Sequence, residues 1–250
     1  MKNYEKILNV ALPITTVAII ICVWAAAAAA ADSSLILPSV GETLSAAFSL
    51  FARAEFYRAF FATLLRSFLA FLFSFALAFV TAFLSYKNRF AAKALTPLIV
   101  FIRVLPTIAV VLMLVLWVNS RVAAAIVTAL VIFPTLHENL FAAIGGVDKD
   151  LIGMCSLFKV PRRKVFFKVV LPSVAADFIS AIGAGLTLSL KLMVAAEVLA
   201  HTPYSLGYML NTAQVYFEIA EMTALVLITV VTGLVIGLIF DALAKGADKI

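Results

Sequence analysis

His137-Glu138 opens an H-E-x-x-H pattern, the spacing that sets two imidazoles one helical turn apart around a zinc ion with the glutamate as base. Phe141 stands where the second histidine is needed, so the zinc pair is incomplete, and His201 is the only other histidine. No G-x-x-x-x-G-K-[ST] segment occurs, so the chain lacks the P-loop that cradles nucleotide phosphates. Any drive from ATP therefore has to come from a partner. The two cysteines, Cys22 inside an apolar run and Cys155 in a polar one, do not make a disulfide framework. With no nucleophile, metal cluster or paired acids, a membrane-embedded enzyme is disfavoured.

What remains is a set of ionisable residues inside otherwise apolar runs: Arg66, Arg103, Glu138, Lys191 and Glu197. Such groups are costly in a bilayer and face water, a cavity or one another. At the rise of a helix, Arg103 and Glu138 each lie roughly 10–14 Å from the same membrane side. They are expected to pair, whether to tie two helices together or to serve transport. Lys191 follows Gly183, Gly185 and Ser189 and is expected to face a translocation path, giving it a positive potential that suits an anion. The alternative is that Lys191 snorkels to the outer surface or pairs with Glu197 of another helix. Arg66 and Glu197 join this candidate path set.

A polar island runs from His137 to Pro172 between two apolar stretches. Within it Leu151, Met154, Cys155 and Phe158 fall at i, i+3, i+4 and i+7, one apolar face of a short helix. Asp148 is the expected N-cap, and Pro161 stops the helix. From Arg162 to Val170, Val165, Phe166, Val169 and Val170 oppose a basic side, the pattern of a helix lying on a membrane surface before Pro172 opens the next span. An apolar-faced helix held on the wet side of a membrane is a docking element.

The elements that position these residues are transmembrane helices. Of 250 residues, 65% are hydrophobic and 13% charged, with a mean hydropathy of +1.15, and apolar runs of 18 or more recur. They do not alternate in polarity as barrel strands do. The reading is an all-α integral membrane protein, a single transmembrane domain over 1–250, with six spans at about 7–31, 59–84, 94–118, 122–144, 173–199 and 222–243. Basic residues gather in the N-terminus, at Lys87, Arg89 and Lys93, throughout 145–172, and at Lys245 and Lys249, against Arg53, Arg58 and Arg121 on the other side. The positive-inside rule then makes both termini and the 145–172 loop cytoplasmic. This also accounts for a pI near 9.4 without nucleic acid, since each basic loop faces anionic lipid. Lys2, Lys6 and the Ala25–Ala31 run resemble a signal peptide, but the run from Ile7 to Ala31 is long enough to cross a bilayer with tilt, and an uncleaved helix is expected. Leu44, Phe48 and Phe51 suit a short amphipathic helix in the external 32–58 segment. Ala70, Ser74, Ala78 and Ala82, like Gly233 and Gly237, form small-residue stripes for close helix packing within the chain. Trp117 suits an interfacial anchor.

Several segments, in order, resemble the permease subunits of ABC importers of the nitrate/sulfonate/taurine type. Ile36-Leu37-Pro38-Ser39 resembles the segment after that family's first helix, Thr63-Leu64-Leu65-Arg66-Ser67 its entry to the second span, and Arg103 with Pro106 its Arg-x-x-Pro stretch. Val147-Asp148, Leu151-Ile152, Arg162-Arg163-Lys164 and Val170-Leu171-Pro172 match its cytoplasmic coupling loop, with Gly153 in place of glutamate, Met154 and Cys155 in place of two alanines, and Lys159 in place of the turn glycine. Val194-Ala195-Ala196-Glu197 and Ser205-Leu206-Gly207-Tyr208 resemble a Val-Ala-Glu stretch and a Gly-Leu-Gly-Tyr stretch. The resemblance implies a type I importer fold in the inner (cytoplasmic) membrane and a homodimer. It also implies an ATP-binding partner subunit holding ATP and Mg, no cofactor bound by this chain, and a substrate-binding protein or lipoprotein outside. It assigns ATPase coupling to Asp148, Asp150, Leu151, Ile152, Gly153, Met154, Cys155, Phe158 and Lys159. The solutes it implies are nitrate, sulfonates, taurine or thiamine-precursor-like compounds. The rival reading, an ion-coupled secondary transporter, predicts internal repeats and a midplane site on broken helices, and no convincing repeat is visible.

Overall fold

The computed structural model describes residues 2–146 and 149–247, and these form helices and connecting loops with no strands among them. In chain order the helices are α1 (Lys2–Ala31), α2 (Val40–Phe51), α3 (Ala54–Lys87), α4 (Arg89–Val104), α5 (Thr107–Trp117) and α6 (Ser120–Gly145). Then follow α7 (Lys149–Leu157), α8 (Arg162–Val165), α9 (Leu171–Leu199), α10 (Leu206–Val215) and α11 (Ile219–Ala247). Among the described residues α3, α6, α9 and α11 are each long and apolar enough to cross a membrane.

The run expected to cross as one helix over 94–118 is instead broken. Helices α4 and α5 meet at 90°. The break falls at Leu105 and Pro106. Proline lacks the N–H that would continue the ladder, and its ring pushes the preceding residue out of the helical region. Leu105 accordingly has φ −58° and ψ 127°. Pro97 and Pro134 sit inside α4 and α6 without ending them.

The chain divides into two compact units. In the first, Met1–Tyr57 with Met209–Ile228, Ser39 caps α2 through a capping box, its hydroxyl accepting from the Glu42 N–H while the Glu42 carboxylate accepts from the Ser39 N–H. This satisfies two donors that the first turn leaves orphaned. Phe48 points out, 73% exposed, as the amphipathic reading of that segment expects. Trp24 Nε1 donates to the Pro38 carbonyl at 3.1 Å, and Arg53 pairs with Glu221 at 2.9 Å.

The second unit, Arg58–Tyr208 with Thr229–Ile250, is organised around α6. Its Ala124, Val127, Ile132, Leu136 and Leu140 are all essentially inaccessible. The Ala70, Ser74, Ala78, Ala82 stripe of α3 is buried, and Ser74 Oγ donates to the Ala129 carbonyl of α6 at 2.9 Å. Small side chains let α3 come close enough to α6 for that hydroxyl to reach the facing backbone. Helix α9 joins the same core: Ser189 Oγ donates to the Ser67 carbonyl of α3 at 2.7 Å. Thr187 Oγ1 reaches the Gly233 carbonyl of α11 at 3.3 Å.

Candidate functional site

Glu197, fully buried on α9, is held by α3 and by the first residues of α10. Arg66 of α3 donates to Oε1 from Nε at 2.9 Å and Nη2 at 2.6 Å. Thr63 Oγ1 donates to Oε2 at 2.8 Å, and the Gly207 N–H approaches it at 3.4 Å. Thr63 and Arg66 lie three residues apart on α3, so both face the same carboxylate. Thr63 Oγ1 in turn accepts from the Leu206 N–H at 3.0 Å. The start of α10 is thereby fixed against α9, and so closely that a Cβ at Gly207 would lie 2.6 Å from the Val198 nitrogen. Ser205, which stands where the resembling stretch has glycine, caps α10: its Oγ accepts from the Tyr208 N–H at 2.9 Å and donates to the Thr202 carbonyl at 2.7 Å. The tight turn before it carries His201 and Tyr204 at φ 49° and 55°. Arg58 covers the Tyr204 ring at 3.9 Å, a cation–π contact.

This network uses the Glu197 carboxylate within the protein. The alternative in which Glu197 pairs with Lys191 is therefore not the arrangement found. Lys191 is exposed and has no ion-pair partner among the described residues. It lies on an exposed stripe of α9 with Asp177, Ser180, Ala184 and Ala195, spaced so that all share one helical face. Beside the early part of that stripe, Asn139, Ala142 and Ala143 of α6 and Asp177, Ser180, Ala181 and Ala184 of α9 line a groove of about 420 Å³. Asp177 and Asn139 do not figure in the set drawn from the sequence. The signal was present, because Asp177 is a charge inside the apolar run 173–199.

Arg103 of α4 and Glu138 of α6 form the expected ion pair, with side chains 48% and 55% exposed. The neighbouring His137 is buried, its Nδ1 3.0 Å from Thr81 Oγ1 and its ring stacked on Phe141. A pocket of about 210 Å³ lies between them, lined by Ser85, Thr96, Ile99, His137, Glu138 and Phe141 among others. Among the described residues no cluster of three metal-ligating side chains occurs.

In the polar island, Asp148 lies outside the described residues. Leu151 and Ile152 belong to α7, but their side chains are likewise outside them. Asp150 stands in the first turn, Gly153 borders open space, and Cys155 is half-buried. Met154 and Phe158 are exposed, at 54% and 77%, and so is Leu157 at 82%, a residue the heptad-like spacing passed over. The helix ends in a Schellman-type turn: the Val160 N–H reaches the Cys155 carbonyl at 2.9 Å, and Lys159 takes φ 51°. Lysine thus adopts the left-handed conformation that this cap usually gives to glycine. The surface helix expected over 162–170 is shorter. After α8 the chain runs through a π-helical turn, Phe166–Val170, directly into α9. Pro172, in the first turn of α9, has no N–H to return to the preceding turn, which widens instead.

A family model described as the binding-protein-dependent transport system inner membrane component matches residues 74–249. A probable ABC transporter permease of Brucella melitensis is 26% identical over 220 residues, covering 88% of this chain and 87% of that one. A putative aliphatic sulfonates transport permease of Bacillus subtilis is 24% identical over 234 residues, 93% of this chain and 83% of that one. Among solved structures, the MetNI methionine ABC transporter in an inward-facing conformation has a chain superposing with a TM-score of 0.66 at 16% identity, covering 76% of this chain and 95% of that chain. An amino acid ABC transporter with histidines gives 0.59 at 18% identity, covering 78% and 93%. At such identities these two speak for the fold alone, an importer permease fold. The family match spans most of the helical core just described, and with it the chain belongs to the binding-protein-dependent transport system inner membrane components, the multi-pass permease subunits of ABC importers.

Proposed function

We propose that this permease works as a homodimer with two ATP-binding subunits, and that α7 is the element that docks on them. The observation that carries this is the exposed apolar group of Met154 and Leu157 on a helix of nine residues and Phe158 in the turn that ends it, set within a strongly basic connection. An apolar face rimmed by charge is the pattern of a protein contact. The P-loop missing from the chain supports a separate source of ATP energy. In this reading both termini and α7 are cytoplasmic, and closure of the nucleotide-binding subunits moves α7. That motion passes through α8 and the π-helical turn into α9, which together with α6 opens the path alternately to either side.

Solute enters from a binding protein outside. Its class is read from the exposed face of α9, where Lys191 contributes a cation to the path, and the solutes considered are small anions such as nitrate, sulfonates or taurine and thiamine-precursor-like compounds. The Arg66–Glu197 pair acts as a staple of that path's wall, and Arg103–Glu138 ties α4 to α6. Cys155 offers a direct test. A thiol-to-amine crosslinker carrying a maleimide and an N-hydroxysuccinimide ester, applied to native membranes, is expected to link Cys155 to an ATP-binding subunit, and Cys155→Ser to abolish the product. A linked species without an ATP-binding subunit would refute the docking role.

A further inference from the structure

We infer that the α6–α9 groove is a solute subsite that takes a positively charged or N–H-donating group, which among the solutes named above narrows the class to those carrying an amine or amino-heterocycle and sets nitrate aside. The inference deepens the permease reading and rests on it. Asp177, Ser180 and Asn139 are exposed, yet they sit on helices that are otherwise apolar and long enough to cross a membrane. A carboxylate on such a helix does not face lipid; it faces water or another polar group. The groove they line, about 420 Å³, is otherwise walled by alanines, so space is left beside these three polar side chains. Asp177 has no ion-pair partner among the described residues. An ionised carboxylate only accepts hydrogen bonds, whereas the amide of Asn139 and the hydroxyl of Ser180 both accept and donate. The group that satisfies all three carries N–H donors or positive charge. Lys191 cannot neutralise Asp177, because fourteen residues of helix put them about 21 Å apart.

The test reads local charge selectivity and needs no knowledge of the solute. In membranes holding the chain in its native complex, with Cys22→Ser and Cys155→Ser, a reporter thiol is placed by Ala184→Cys, two turns from Asp177 on the same stripe. Its rates with trimethylammonioethyl methanethiosulfonate and with sulfonatoethyl methanethiosulfonate are measured against those of a free thiol. The cationic reagent is expected to be favoured by about tenfold, and Asp177→Asn to remove that preference. A second reporter on the facing helix, Ala142→Cys with Asp177 intact, is expected to show the same preference and does not depend on the Asp177 variant folding. A ratio that Asp177→Asn leaves unchanged, a preference for the anionic reagent, or no reaction at either thiol would overturn the subsite. Retention of an ATP-binding subunit in the same preparations reports on the permease reading separately.

Discussion

Replacing Arg66 with methionine would leave the Glu197 carboxylate, which has no solvent exposure, without the two charge-assisted hydrogen bonds at 2.9 and 2.6 Å that neutralise it. Thr63 and the Gly207 N–H would remain, but neither carries charge. Breaking a buried pair by removing one partner costs about 3–5 kcal/mol, because the survivor is stranded. For a chain of this size each kcal/mol corresponds to roughly 2–4 °C in Tm, so Arg66→Met is expected to lower the unfolding temperature by roughly 10 °C. The assay is intrinsic tryptophan fluorescence during heating of the detergent-purified chain, reported by Trp24 and Trp117. Adding Glu197→Gln removes the stranded charge, so the double variant is expected to recover at least half of the loss, the non-additivity of groups in contact. A drop below roughly 2 °C for Arg66→Met, or a double variant less stable than either single one, would refute the reasoning.

Gly207→Ala is expected to be far more damaging than Gly185→Ala. The first Cβ would press on backbone, 2.6 Å from the Val198 nitrogen and 2.7 Å from the Glu197 carbonyl carbon, whereas the second meets the side-chain ends of Leu136 and Phe71, which can turn aside; folded yield on gel filtration checks this. Arg103→Glu and Glu138→Arg should each reduce recovery of folded protein by setting like charges together, and the double reversal should restore it. Lys191→Met should cut uptake by the assembled transporter severalfold while leaving assembly intact, and unchanged uptake would remove Lys191 from the path.

The runs that became α3, α6, α9 and α11 were legible because apolar length is dictated by bilayer thickness, and the match of Arg103 to Glu138 followed from equal depth along two helices. The partner of Glu197 was not legible. Arg66 lies 131 residues away in sequence, and depth alone could not choose it over Lys191, six residues from Glu197 on the same helix. Proline was ambiguous for a similar reason. Pro97, Pro106 and Pro134 look alike in sequence, yet only Pro106 ends a helix, because neighbouring packing decides whether a freed carbonyl bends the chain or is tolerated. Helix α10 lies between two expected spans and was not legible, because its start is made by a Ser205 cap and by Gly207 lying against α9. Asp177 carried its own signal, a carboxylate inside the apolar run 173–199.

The central claim, that this permease is driven through α7 by an ATP-binding partner, is tested most directly by mild-detergent affinity purification of the chain with mass spectrometry of what accompanies it. An ATP-binding subunit is expected in the native eluate and is expected to be lost with Leu157→Asp and Phe158→Asp, while the chain itself still elutes as a folded species. A chain that purifies alone and transports without ATP, or a partner that both substitutions leave in place, would contradict it.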